Sequence, residues 1–274
     1  MKKPRFLNVL YVFILFASLA ISNAALVGYW NFNEGSGTAV ADATGNAAPG
    51  LLAPLGAGST PIWVTGHTGT DKALLFDQGS ATIGDNTALH ITNQFTLSFW
   101  VKAETSSNYG HVFVAGSASN GTSRDWLWQT RSSSDANPYF WSDTNTSSRQ
   151  TLNSGSFAVS ITTWHLETLV YDKNLTSNRM KLYEDGVLKT QYNPNFSISS
   201  WGNLQLGGAG NVFGSGFEGI LDDMAIFNEA LSSTEVMNIY TGTNSQINAI
   251  IPEPASFMLL GLGGLSLALL RKRS

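Results

Sequence analysis

The chain has no cysteine. That excludes disulfides, thiolate metal sites, cysteine nucleophiles and thiol redox chemistry, and it leaves an extracellular domain to be held by its core. Charge is also scarce. Asp, Glu, Lys and Arg make up 12% of the 274 residues, against 27 glycines. Few charges beside abundant Gly, Ser, Thr and Asn argue against a helical protein and for short strands joined by many turns. Basic residues are scarcest in the body of the chain. Six of the 15 Lys and Arg residues (Lys2, Lys3, Arg5, Arg271, Lys272 and Arg273) stand at the two ends, leaving nine against 19 acidic residues. A body carrying a net charge of about −10 excludes nucleic acid and anionic lipid as partners, because both need basic neutralising groups. It remains compatible with neutral glycans and divalent cations.

The ends are organised differently from the body. Lys2, Lys3 and Arg5 precede an apolar run over 9–17, and Ser22-Asn23-Ala24 offers small residues for a signal peptidase. Residues 1–24 therefore read as a secretory signal peptide cut after Ala24; an uncleaved anchor is the alternative, although the run is short for a span. A second uncharged apolar run covers 255–270 and is followed by the basic tail 271–273. As a helix it would be roughly 24 Å long, a little under a bilayer core. The basic tail would stay cytoplasmic and the preceding chain outside. Pro252-Glu253-Pro254 cannot continue a helix, so an extended, accessible peptide precedes the transmembrane helix.

Pro-Glu-Pro, a glycine-containing apolar run and a terminal basic cluster, in that order, resemble the PEP-CTERM sorting signal, here 252–274. An ordinary tail anchor is the alternative. The resemblance implies processing by an exosortase near Pro252, Glu253 and Pro254, and recognition of the Arg271, Lys272 and Arg273 cluster. It also implies a Gram-negative host that makes exopolysaccharide, transient anchoring in the inner membrane, and delivery to the cell envelope or extracellular matrix.

Residues 25–241 read as one domain, joined to the sorting tail by a polar linker over 242–251. Over 94–102, Phe95, Leu97, Phe99 and Val101 fall on one face and Thr96, Ser98, Trp100 and Lys102 on the other, the alternation of a half-buried strand. Further strands are expected at 27–33, 73–77, 111–115, 126–130, 139–142, 166–171, 179–184, 204–207 and 217–227. Asp185-Gly186 between two strand-like runs predicts a tight hairpin, since such a turn needs positive φ. One helix is expected over 233–240, with Ser232 and Glu235 forming a capping box. Many strands and one late helix predict an all-β, two-sheet antiparallel sandwich.

Several segments in order resemble laminin-G-like domains of the concanavalin A-like lectin/glucanase fold. They are Leu26-Val-Gly-Tyr-Trp-Asn-Phe-Asn-Glu-Gly-Ser-Gly37, Asp42-Ala-Thr-Gly-Asn46, Ala73-Leu-Leu-Phe-Asp77, the strand from Phe95, Trp164-His165, the stretch from Met180, and Phe217-Glu-Gly-Ile-Leu-Asp-Asp-Met-Ala-Ile-Phe-Asn-Glu-Ala-Leu-Ser232. The resemblance implies a jelly-roll sandwich. It also implies a structural Ca²⁺ held by oxygens of Asp42, Asn46 and Asp222, which suit a hard cation. The alternative is that Asp42 and Asn46 only shape an Asx turn and Asp222 pairs with a nearby cation.

The residues give little support to catalysis. No Glu-x-Asp-x-x-Glu strand is present, and Glu218 and Asp222 would lie about 13 Å apart along one strand, too far for a retaining pair. His67, His90, His111 and His165 lack metal-ligand spacing. Trp126, Trp128 and Trp141, with Arg124 and Asp125 nearby, suggest instead a carbohydrate site, aromatic faces stacking on sugar rings; the same tryptophans would equally serve a core. The expectation is an exported, non-enzymatic, carbohydrate-binding protein associated with exopolysaccharide. An adhesion protein contacting other surface proteins and a glycoside hydrolase or lyase of this fold are the alternatives.

Overall fold

Strand-forming alternation, turn residues and one helix cap account for most of the architecture. The structure, a computed structural model, describes residues 26–54, 57–103, 110–116, 124–129, 139–143, 150–153, 163–193, 203–208 and 216–242. The signal peptide, most of the linker and the whole sorting tail lie outside these residues. Among them, no helix is long and apolar enough to cross a membrane.

The strands are β1 (Leu26–Trp30), β2 (Ala39–Val40), β3 (Gly50–Pro54), β4 (Ile62–Thr65), β5 (Lys72–Asp77), β6 (Gly79–Asp85), β7 (Gln94–Ala103) and β8 (His111–Gly116). They continue as β9 (Arg124–Gln129), β10 (Tyr139–Asp143), β11 (Gln150–Asn153), β12 (His165–Asp172), β13 (Met180–Glu184), β14 (Val187–Tyr192), β15 (Asn203–Leu206) and β16 (Glu218–Phe227). The helix α1 (Ser233–Thr241) follows. One sheet runs β14-β13-β12-β7-β16-β5-β4, with β1 also paired to β16; the other runs β11-β10-β9-β8-β15-β6-β3-β2.

The alternation of β7 sets the layers. Phe95, Leu97, Phe99 and Val101 are buried in the main core between the sheets, together with Trp30, Phe76, Phe113, Leu169 and Leu206. The opposite face of the first sheet is not left to water. There Tyr29, Leu166, Val170, Tyr183, Ala225 and Phe227 pack beneath Leu231, Val236 and Ile239 of the closing segment and α1, with Trp100 at the margin. The capping box is present: Ser232 Oγ accepts from Glu235 N, and Glu235 Oε2 accepts from Ser232 N. It fixes where the chain leaves β16 and turns back over the sheet.

Strand β16 has to serve two neighbours on one edge. Its first half pairs with β5 and its second half with β1, while β7 lines the other edge throughout. The register with β7 shifts between Asp222 and Ala225, and Asp223 adopts φ 45°. This is a β-bulge, which bends the strand and re-aims its side chains.

The hairpin expected at Asp185-Gly186 joins β13 and β14, with φ 52° and 76° at the two turn residues. A Cβ at Gly186 would lie 2.9 Å from Met237 Sδ, so the turn is closed on both conformational and packing grounds. Gly186→Ala is expected to destabilise the domain by about 1–2 kcal/mol, the cost of a left-handed conformation for an L-residue. Urea unfolding measures this; an unchanged midpoint would show that the hairpin tip yields without cost.

Candidate functional site

The bulge in β16 brings chemistry together that lies far apart in sequence. Asp222, fully buried, turns to the outer face of the first sheet and accepts from the backbone N and from Nδ1 of His67, at 3.0 and 2.9 Å on Oδ2. Its other oxygen accepts from Asp223 N at 2.9 Å. Asp71 Oδ2 and Asp223 Oδ2 each stand 3.7 Å from the same His67 nitrogen. Tyr29 donates its hydroxyl to Asp223 Oδ1 at 2.5 Å. Gly66 makes the close approach possible, since a Cβ there would overlap the carboxylates of both Asp71 and Asp222.

Three carboxylates around one imidazole hold a proton tightly. Burial pulls the His67 pKa down, but the hydrogen bond to Asp222 and the charges of Asp222, Asp223 and Asp71 outweigh it, so the net shift is upward. Burial pushes the Asp222 carboxyl up, against the hydrogen bonds from His67. The Tyr29 hydroxyl is pushed far up by burial and by the neighbouring Asp223. The surroundings thus favour the imidazolium form of His67, which ties the β4–β5 connection to β16.

Aromatic rings extend from this tie to the surface. The His67 ring stacks on Trp100, centroids 4.3 Å apart and 14° between planes, and meets Trp164 edge-on at 6.2 Å. Tyr240 of α1 lies 5.9 Å from Trp100, and Lys102 Nζ stands 5.5 Å from the Trp164 ring centroid. Trp100, Trp164 and Lys102 are partly exposed and Tyr240 is exposed, so the margin between α1 and the sheet presents aromatic faces to solvent with a cation beside them.

The residues singled out from the sequence are distributed otherwise. Asp42 spends both oxygens on the loop it begins, accepting from Tyr29 N, Thr44 N, Thr44 Oγ1 and Ala47 N. The Asn46 side chain donates to Val27 O. Asp222 joins His67, Asp71 and Asp223, so the three residues assigned to calcium fall into two hydrogen-bonded sets. The expected trio does not converge on one point; Asp222 stands instead with His67, Asp71 and Asp223, whose ligand atoms lie within 4.8 Å of one another. Arg124, Asp125, Trp126 and Trp128 lie on β9 and Trp141 on β10. By register Trp126 and Trp128 stand opposite Ala115 and Phe113, two core residues, while Trp141 pairs with Leu127 in the alternate row. Pro252, Glu253, Pro254 and Arg271, Lys272 and Arg273 lie outside the described residues. Of the four histidines, His165 is tied by Nδ1 to Asp185 of the hairpin at 2.8 Å, a structural post.

Comparison with known proteins follows this geometry. Residues 76–237 match the family model of the concanavalin A-like lectin/glucanases superfamily, of laminin-G type. The chain belongs to this superfamily. Residues 251–273 match the PEP-CTERM protein-sorting motif, the mark of an exported surface protein of Gram-negative bacteria. None of the curated protein sequences matches. Among solved structures, domain 4 of AbnA, an extracellular GH43 arabinanase from Geobacillus stearothermophilus solved in complex with arabinotriose, is similar at 22% identity. The match has a TM-score of 0.64, covering 80% of this chain and all of that one. The binding domain of Paraclostridial Mosquitocidal Protein 1 is similar at 16% identity and TM-score 0.57, over 78% of this chain and 51% of that one. The botulinum neurotoxin serotype G binding domain matches at 14% identity and TM-score 0.56, over 79% and 50%. The chain therefore spans about half the length of these toxin binding domains. At such identities the likeness is one of fold.

The imidazolium tie has a pH signature. With its folded pKa above the unfolded value of about 6.5, His67 contributes stability that is complete below that value and lost as pH rises through the folded one. A charge-assisted hydrogen bond of this kind contributes about 1.5–3 kcal/mol. His67→Gln is therefore expected to be less stable than the parent at acid pH, with the gap closing as pH rises. A gap that stays constant in thermal melts from pH 5 to 9 would rule out the charged form.

Proposed function

We propose that this is an exported, non-enzymatic carbohydrate-binding protein, associated with exopolysaccharide and processed by an exosortase, whose sugar site is the aromatic margin of α1 and the first sheet. The observation that carries the reading is the Trp100, Trp164 and Tyr240 group, partly open to solvent and backed by the His67 tie. Aromatic faces stack on the C–H surfaces of sugar rings, and Lys102 stands ready to donate to hydroxyls. The body's acidity suits a neutral glycan better than an anionic one. The similar arabinanase domain was solved with arabinotriose, which supports a sugar as ligand for this fold.

The site favours binding over catalysis. Its carboxylates lie beneath the rings, held by His67 and Tyr29, where they would not flank a glycosidic bond. Glu218, the other carboxylate of β16 considered for acid–base work, accepts from Gln78 Nε2 at 2.9 Å.

Titration of the secreted domain with the host's own exopolysaccharide tests the reading. Saturable binding is expected, weakened on the order of tenfold by Trp164→Ala. It is expected to survive a chelator, because Asp42 is already satisfied by the loop. Weakening by Trp126→Ala or Trp128→Ala, with Trp164→Ala silent, would move the site to β9. No binding by a folded domain would favour a role in contacting other surface proteins.

A further inference from the structure

A second group of charged residues lies on the core side of the first sheet, one register step from Trp100, with the aromatic margin on the opposite face. Glu167 on β12 is fully buried, and among the described residues neither carboxylate oxygen has a hydrogen-bond partner. It shares the core-facing row of its strand with Leu169 and Tyr171. In the register it stands directly between Phe99 of β7 and Glu184 of β13.

The groups around it can be named element by element. From β13 comes Glu184, whose Oε1 is paired with Lys189 Nζ of β14 at 2.8 Å. The hairpin supplies Asp185, already engaged by His165 Nδ1 and by Leu166 N. Strand β7 supplies only Phe99 at this level, its Lys102 lying on the other face with Trp164. The buried apolar residues of the opposing sheet include Val112, Phe113, Ala115, Leu204 and Leu206. Among the described residues, the nearby cation Lys189 is thus engaged by a different carboxylate.

A charge left in that position would be desolvated and would face a second carboxylate. We propose that Glu167 is a proton latch: it is uncharged in the closed fold, and its ionisation as the medium turns alkaline opens the edge hairpin β13–β14 away from β12. The hairpin is the element that yields because β14 is a sheet edge, with Val187 and Leu188 exposed, whereas β7 is clamped by β16. Swinging β13 aside lets water reach Glu167 and uncovers Met180 and Leu182, while the pairing of β7 with β16 stays in place.

Burial, with the charges of Glu184 and Asp185, raises the Glu167 pKa well above its ordinary value, and Lys189 only partly opposes this. The sign follows from proton linkage. The closed form binds a proton that the open form releases, so closure is favoured below the ordinary carboxylate range and lost as pH rises through the closed-state pKa. Between the ordinary carboxylate range and the closed-state pKa the open population rises on the order of tenfold per pH unit, and above that pKa it levels off.

Amide hydrogen exchange on the secreted domain, expressed as protection factors so that intrinsic rates cancel, reads the latch between pH 6 and 9. Protection in β13 and β14 is expected to fall with pH while β5 and β16 hold. In Glu167→Gln, which keeps the shape and leaves His165 and Asp185 in place, it is expected to stay level. Equal pH dependence in parent and variant overturns the proposal, as does a uniform fall over both sheets. Carboxyl-carbon NMR gives a measurement that needs no variant: titration of Glu167 in the ordinary carboxylate range would also overturn it. If added calcium alone restores protection at pH 9, the Glu167–Glu184 pair is a cation site and the latch is wrong.

Discussion

The bulge at Asp222 and Asp223 is the constraint on which the first sheet depends. A strand of ten residues lined on one edge by β7 must accept β5 beside its first half and β1 beside its second. Those partners arrive from different parts of the chain, and a straight β16 would carry a single register past both. The extra residue absorbs the mismatch, and the left-handed Asp223 is the local strain that results. What holds that residue is the set of bonds around it: the Tyr29 hydroxyl on Asp223, and His67 on Asp222. Structure and site are one feature here, since the same irregularity that lets the sheet close also turns two carboxylates outward.

That arrangement explains why the aromatic margin sits where it does. The outer face of a sandwich sheet is ordinarily wet, but here the closing segment and α1 cover it with a small second core. The cover is only as wide as a short helix. At its edge the apolar row of Leu166, Val170 and Ala225 gives way to Trp100, Trp164 and Lys102, which are neither fully covered nor fully solvated. Large rings at a boundary of this kind keep one face packed and offer the other. His67 serves as the packed partner for Trp100, and its own position is set by the carboxylates below. The fold itself thus positions these rings, which in the proposed sugar site would reduce the ordering that binding requires.

Much of this was legible in the sequence wherever a local rule operates. The period of two over 94–102 gave the correct inner and outer faces of β7; Asp185-Gly186 marked the hairpin; Ser232 and Glu235 marked the helix start. The strands that escaped notice, β2, β3, β4, β6 and β11, are short or built of Gly, Ala, Ser and Thr, and carry almost no apolar alternation. The site was less accessible for a different reason. Asp222 was visible as a residue of interest, but its partner His67 lies 155 positions away and contacts it only because β5 and β16 are neighbours. Trp100 was read correctly as facing away from the main core, yet nothing in its strand announces the ring that stacks on it. Asp42, by contrast, was legible as a turn-former: Thr44 and Ala47 of its own loop donate to its oxygens, and Tyr29 of β1 adds a bond from farther along the chain.

The contrast between the two buried acid groups shows how the same chemistry leads to opposite behaviour. At Asp222 the carboxylate is compensated by an imidazole and two backbone donors, so burial strengthens a tie that is already satisfied. At Glu167 the strand order places a carboxylate opposite another carboxylate, and the nearby ammonium of Lys189 is engaged by Glu184. A low-dielectric setting then magnifies a deficit rather than a bond. The first lies on the strand at the centre of its sheet, where neighbours on both edges hold it fixed; the second lies one strand from an edge hairpin that can move. A domain exported without disulfides has few other devices for separating a rigid region from a responsive one. Here the separation follows from which strand each carboxylate occupies, and so from topology before chemistry.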